Sequence, residues 1–229
     1  MKYYPVNLNI HDRHCLVVGG GGVGTRKATT LLECGARVTV VSPDVTDRLA
    51  ILSSEGKLKL VLRNFKNADL NGMFLVIGAT NDETLNRQIH MNAEKRGLLC
   101  NIADRPEICN FILPSVVRRG ALTISISTSG RSPALAKILR KDLELQYGEE
   151  YSVLLQLMGA IRKKLLNQAH APEEHKPIFE RLLNAGLIEF VRDDRRTEIN
   201  RLLEDVLGKE YSYETLIESM GSAKDSVTA

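Results

Sequence analysis

Four consecutive glycines, Gly19 to Gly22, interrupt an apolar run and lead into a helical pattern in CLVVGGGGVGTRKATTLL, Cys15 to Leu32. Glycine loses more backbone freedom on folding than any other residue, so four at one turn mark a place where the main chain must come close to something. Gly19, Gly21 and Gly24 fall in the register G-x-G-x-x-G, after a strand-like run and before Val23, Ala28, Leu31 and Leu32, which share one helical face. A turn of this kind lets the backbone approach a pyrophosphate, and a helix opening near Gly22 aims unpaired N–H groups and its positive dipole end at the anion. Gly19, Gly21, Gly22, Val23 and Gly24 are therefore candidate cofactor-contacting positions.

Downstream, apolar runs and helical patterns alternate. Arg37–Val41, Lys57–Arg63, Met73–Thr80 and Leu98–Ile102 read as strands, Val45–Ser53 and Glu83–Lys95 as helices. Strand and helix by turns predict a parallel sheet covered on both faces, with ligands at the carboxyl ends of its strands. That rule nominates Ser42, Pro43 and Asp44 after the second strand, Thr80 and Asn81 after the fourth, and Asn101 to Asp104 after the fifth. An acidic ribose ligand normally ends the second strand; Ser42 stands there, with Asp44 two residues on, and NAD is favoured over NADP because no Arg follows directly.

After Asp104 the pattern changes. Ala121–Ser127 alternates as a strand, Ser132 reads as an N-cap with Pro133 at the first helical position, and Leu135, Ile138, Leu139 and Leu143 form the apolar face of the helix that follows. A helix over Tyr151–Asn167 comes next, then punctuation at Pro172 and Pro177, two helical stretches between Ile178 and Leu207, and a tail from residue 219 read as disordered. The fold class is thus α/β: a Rossmann-like parallel sheet domain over 1–113, a small α+β dimerisation region over 114–150, and a C-terminal helical domain over 151–218.

With 229 residues, 43% hydrophobic and 26% charged, the chain reads as an ordinary soluble protein. It has no apolar run near the length of a membrane span and no signal-peptide core, so a cytoplasmic location and no membrane partner are expected. Cys15, Cys34, Cys100 and Cys109 lack metal-ligand spacing and read as small buried apolar residues. No histidine pair has the spacing of a helical metal site, and no metal ligand is assigned. The net charge is +3, but residues 1–120 carry 16 Lys+Arg against 11 Asp+Glu. Without aromatic interleaving or a nucleic-acid motif, that excess suits an acidic small molecule better than a polynucleotide.

Through PVNLNIHDRHCLVVGGGGVGTRKATTLLECGARVTVVSP, VIGATND, LCNIADRPEICNFILPS and SISTSGRSPALAKILRKDLE, the sequence resembles the bifunctional precorrin-2 dehydrogenase and sirohydrochlorin ferrochelatase family, the module at the N-terminus of siroheme synthases. The resemblance implies NAD-dependent oxidation of precorrin-2, an acidic tetrapyrrole, to sirohydrochlorin, with ferrous iron as a further substrate if chelation also occurs. It implies a homodimer, Asp104 of Asn101-Ile102-Ala103-Asp104 as catalytic acid/base, and substrate contacts from Asn101, Arg105, Thr128, Ser129, Arg131 and Ser132. A short-chain dehydrogenase is excluded because neither Tyr147 nor Tyr151 has Lys four residues later. A non-enzymatic NAD-sensing domain is the alternative.

Overall fold

The computed structural model describes residues 3–103, 105–168 and 172–224. They divide into two compact units, the first running to Leu113 and taking in Ser129–Arg131, the second taking Pro114–Thr128 and the chain from Ser132 on.

The first unit contains β1 (His14–Gly20), α1 (Gly22–Glu33), β2 (Arg37–Val45), α2 (Asp47–Ser54), β3 (Lys59–Val61), β4 (Leu75–Gly78), α3 (Glu83–Glu94) and β5 (Leu99–Ile102). All strand pairs are parallel and the order is β3-β2-β1-β4-β5, the doubly wound arrangement that the alternating pattern predicts. β1 reads as an unbroken apolar run because both of its faces are covered. Cys15 and Val17 join Ala28 and Leu31 of α1 and Leu49 and Leu52 of α2. Leu16 and Val18 join Ile89 and Ala93 of α3.

β2 extends further than the sequence predicts. Its ladder with β1 is interrupted between Val18 and Gly20 and resumes with Gly20 opposite Val45. Ser42, Pro43 and Asp44 therefore lie inside the strand instead of beyond its end, and α2 begins only after Thr46, whose side chain caps it. The tight fit at Gly20, where a Cβ would meet Val45 Cγ1 at 2.6 Å, is what allows the extra pairing.

In the second unit β6 (Ser115–Arg119) and β7 (Leu122–Ile126) form an antiparallel hairpin. The sequence reading missed β6, a five-residue strand that ends in two arginines. Then come α4 (Pro133–Gln146), α5 (Glu150–Asn167), α6 (Pro172–Asn184), α7 (Leu187–Arg192), α8 (Arg196–Leu207) and α9 (Tyr213–Lys224). Leu157, Ile161, Leu182, Leu187, Ile199 and Leu203 form the core of the last five helices. Pro172 opens α6, and Pro177 lies within that helix instead of breaking it. Pro177 removes one backbone donor, and the burial of Ile178, Phe179, Leu182 and Leu183 against the bundle offsets that loss. Gly186, at φ 89°, separates α6 from α7, so the stretch read as two helices holds three. Residues 219–224, read as the start of a tail, continue α9; the rest of that tail, 225–229, lies outside the described residues.

Candidate active site

The carboxyl ends of β1, β4 and β5 line up in one row. Val18 is opposite Gly78 and Gly78 opposite Ile102, and the next residues carry the ladder on: Ala79 N donates to Val18 O at 2.7 Å and Ala103 N to Gly78 O at 2.8 Å. Strand order reverses across β1 and β4, which makes this row the crevice in which a doubly wound sheet receives its ligand.

The glycine turn stands over that row. A side chain at Gly19, whose φ is +110°, would run into the Ala79 carbonyl and approach Thr80 N within 3.1 Å; one at Gly24 would overlap the Gly19 carbonyl oxygen. At Gly21 and Gly22 the opposite holds, since a Cβ there would meet nothing within 4 Å. α1 starts at this open place with Gly21 as N-cap, no side-chain cap and no acidic residue in its first turn. The orphan N–H groups of the helix and its positive end are left for an outside acceptor, which is the provision a dinucleotide pyrophosphate needs. The residues present therefore fit such a cofactor.

Around this turn Val23 is half-buried, Pro43, Asp44 and Asn81 are exposed, and Ser42 is buried at 8% exposure. Ser42 is thus enclosed in β2, and Asp44 is the accessible polar group on that side. Thr25 Oγ1 and Thr46 Oγ1 are 2.7 Å apart and tie the start of α1 to the start of α2. Thr80 is held by Asn86, an α3 residue absent from the sequence candidates, through Thr80 Oγ1 to Asn86 Oδ1 and Asn86 Nδ2 to Thr80 O, both 2.9 Å.

Asp104 lies outside the described residues. Its neighbours are fixed at the carboxyl end of β5. Ala103 is bonded to Gly78 as above, and Arg105 N donates to Ile102 O at 3.3 Å. The Arg105 guanidinium is paired with Glu83 at 3.1 Å, at the start of α3, so this cation is already engaged. The Arg87 hydrogen bond, with the charge of Arg105 beside it, holds the Glu83 carboxyl below its usual range.

Asn101 is 8% exposed, and Nδ2 donates to Phe111 O at 3.1 Å, so its amide nitrogen braces the loop after β5. The same loop folds back along β5 by side chains. Cys100 N donates to Asn110 Oδ1 at 2.8 Å, Asn110 Nδ2 donates to Leu98 O at 2.8 Å, and Cys109 Sγ accepts from Ile102 N at 3.1 Å.

Burial pushes the Cys15 thiol up to about 11 and the Cys100 thiol up to about 12, and also raises Cys109, so these thiols stay protonated. Cys34, by contrast with its expected burial, is exposed, and Cys109 is half-buried and hydrogen-bonded. Among the described residues no group of three or more His, Cys, Asp or Glu side chains is gathered to hold a metal ion. Among them, too, no helix is long and apolar enough to cross a membrane.

Of the remaining candidates, Ser129 and Arg131 are exposed and group with the first unit. Thr128 and Ser132 belong to the second, where they serve the helix. Thr128 Oγ1 accepts from Ser132 N at 3.2 Å, and Ser132 Oγ accepts from Leu135 N at 3.2 Å, as predicted for an N-cap followed by proline.

Residues 6–115 match the family described as "Putative NAD(P)-binding", and residues 119–146 match the family described as "Sirohaem biosynthesis protein central". The siroheme synthase of Thioalkalivibrio sulfidiphilus is 37% identical over 207 residues, 90% of this chain and 42% of that protein. That of Nitrosococcus oceani is 34% identical, over 90% of this chain and 44% of its own length. The chain thus spans less than half the length of the curated relatives it matches. Among solved structures, SirC, a precorrin-2 dehydrogenase, aligns with a TM-score of 0.76 at 27% identity, covering 91% of this chain and all of that one. The chain therefore belongs to the family that SirC and the matched portion of the siroheme synthases share.

Proposed function

We propose that this chain oxidises precorrin-2 to sirohydrochlorin with NAD as hydride acceptor. The observation that carries the reading is the open, uncapped start of α1 above the aligned ends of β1, β4 and β5, in a chain that aligns with SirC over 91% of its length.

Bound NAD supplies the acceptor for the hydride that leaves a saturated carbon of the tetrapyrrole. The N–H groups at Gly22 and beyond hold the pyrophosphate, and Asp44, exposed on β2, meets a ribose hydroxyl. Thr80 and Asn81 border the crevice on the β4 side. Loss of a hydride obliges a proton to leave as well, and Asp104, following Ala103 at the end of β5, is the carboxylate proposed to take it. Of the basic residues expected to bind substrate carboxylates, the exposed Arg131 is the better candidate, since Arg105 is committed to Glu83.

A second copy of the chain is part of the reading. Leu135, Ile138 and Leu139 on α4 are 48%, 56% and 39% exposed, an apolar face too large to leave in water and suited to a twofold contact. A cytoplasmic location accords with free Cys15 and Cys100 thiols.

The test is to mix purified protein, precorrin-2 and NAD and follow the visible spectrum. Appearance of the sirohydrochlorin spectrum with NADH supports the proposal, whereas NAD binding with an unchanged spectrum supports the sensor alternative. Addition of ferrous ion to the product then reports chelation, as metallation faster than in a protein-free control.

A further inference from the structure

We infer that Asn86 is a positioning residue for the dinucleotide crevice, acting through Thr80; the inference rests on the NAD reading above. Asn86 is a buried amide, 7% exposed, in the first turns of α3. An amide so placed needs partners, and it spends both ends of its side chain on a single residue. Nδ2 donates to the Thr80 carbonyl and Oδ1 accepts from the Thr80 hydroxyl, each at 2.9 Å. The hydroxyl is also within 3.2 Å of Asp82 N, so Thr80 is held from three sides.

The consequence lies in the next peptide. A trans peptide points its C=O and the following N–H in opposite directions. With the Thr80 carbonyl turned toward Asn86, the Asn81 N–H is directed away from α3. Asn81 is exposed, and its N–H has no partner among the described residues. The segment so fixed is the one against which Gly19 closes, Thr80 N lying 3.1 Å from where a Gly19 Cβ would be. Asn86 also sits above β4, with Oδ1 3.2 Å from where a Gly78 Cβ would be. It therefore joins α3, the end of β4 and, through Thr80, the glycine turn, and it sets the direction of one backbone donor at the crevice.

NAD titrated by calorimetry into the purified protein at low temperature tests this. Asn86→Leu is expected to weaken NAD binding about tenfold, as loss of a directed donor should. Asn86→Asp is expected to bind as weakly at neutral pH and to recover toward the wild type when the pH is lowered to about 5. A protonated carboxyl restores one donor for the Thr80 carbonyl and one acceptor for its hydroxyl. A brace with no bearing on the crevice would lower the melting temperature of both variants while leaving NAD affinity and its pH dependence, relative to wild type, unchanged; that result overturns the inference. Should Asn86→Leu fail to fold, Thr80→Val, which removes the hydroxyl alone, is expected to bind several-fold more weakly, and unchanged affinity there also overturns it. Wild-type protein that binds no NAD would instead overturn the dinucleotide reading.

Discussion

Gly24 lies so close to Gly19 that its missing Cβ is the space occupied by the Gly19 carbonyl oxygen. The first residue of the glycine motif is seated on the last, and the turn and the opening of α1 lie between them. Gly24→Ala would put a methyl group into backbone that has no flexible side chain to yield. We expect a loss of about 2 to 4 kcal/mol in stability, read by urea denaturation, together with loss of NADH binding read by fluorescence.

Asp104→Asn keeps size and hydrogen-bonding capacity and removes the base. Folding and NAD affinity are expected to stay as in the wild type while kcat for precorrin-2 oxidation falls about 100-fold or more. Full turnover in this variant would remove Asp104 from the mechanism.

Asn101 separates two roles cleanly. As a brace on Phe111 O it should be missed in stability, and Asn101→Leu is expected to cost about 1 to 2 kcal/mol, because it leaves a part-buried carbonyl without its donor. As a substrate ligand it would be missed in KM with stability unchanged.

The apolar face of α4 predicts a subunit contact. Ile138→Lys is expected to convert a dimer into a monomer in light scattering at micromolar concentration, with helix content retained. A wild-type chain that is already monomeric would refute the contact.

Arg63 binds Asp69 through two hydrogen bonds, 2.8 and 2.6 Å, and holds its carboxyl below the ordinary value of 3.8. A carboxyl depressed on folding adds stability that is present above its unfolded value and is lost as the pH falls through the folded one. The wild type should exceed Asp69→Asn by about 1 kcal/mol near neutrality, a modest figure because Arg63 is partly exposed. The difference should close on acidification, as followed by denaturation at a series of pH values.

The sequence was most readable where cause and effect are local. The glycine turn and the Ser132 cap each depend on residues within a few positions of one another, and each is found where the pattern puts it; the burial of β1 on both faces is legible in its unbroken apolar run, although the residues that cover it are distant in sequence. The apolar run stops at Val41 and so puts Ser42 at a strand end, but the ladder of β2 is continued by its neighbour Gly20, which the run of β2 itself does not contain. The partners of Asn101 and Asn86 escape a sequence reading for the same reason. The partner of Asn101 is a carbonyl ten residues on, and that of Asn86 is a strand end six residues back; no spacing rule announces either. The apolar stripe of α4 was legible as a stripe, yet periodicity does not reveal whether a stripe is covered by its own chain.

The loop folded back on β5 has a consequence for how this protein meets other chains. Every open sheet border is a template on which a foreign strand can be laid. Here one border is occupied by Asn110 and Cys109, and the other ends in a strand only three residues long that begins with a lysine. Cross-strand recruitment is thereby discouraged at both flanks of the parallel sheet, so a foreign strand finds no long unpaired border there on which to extend it.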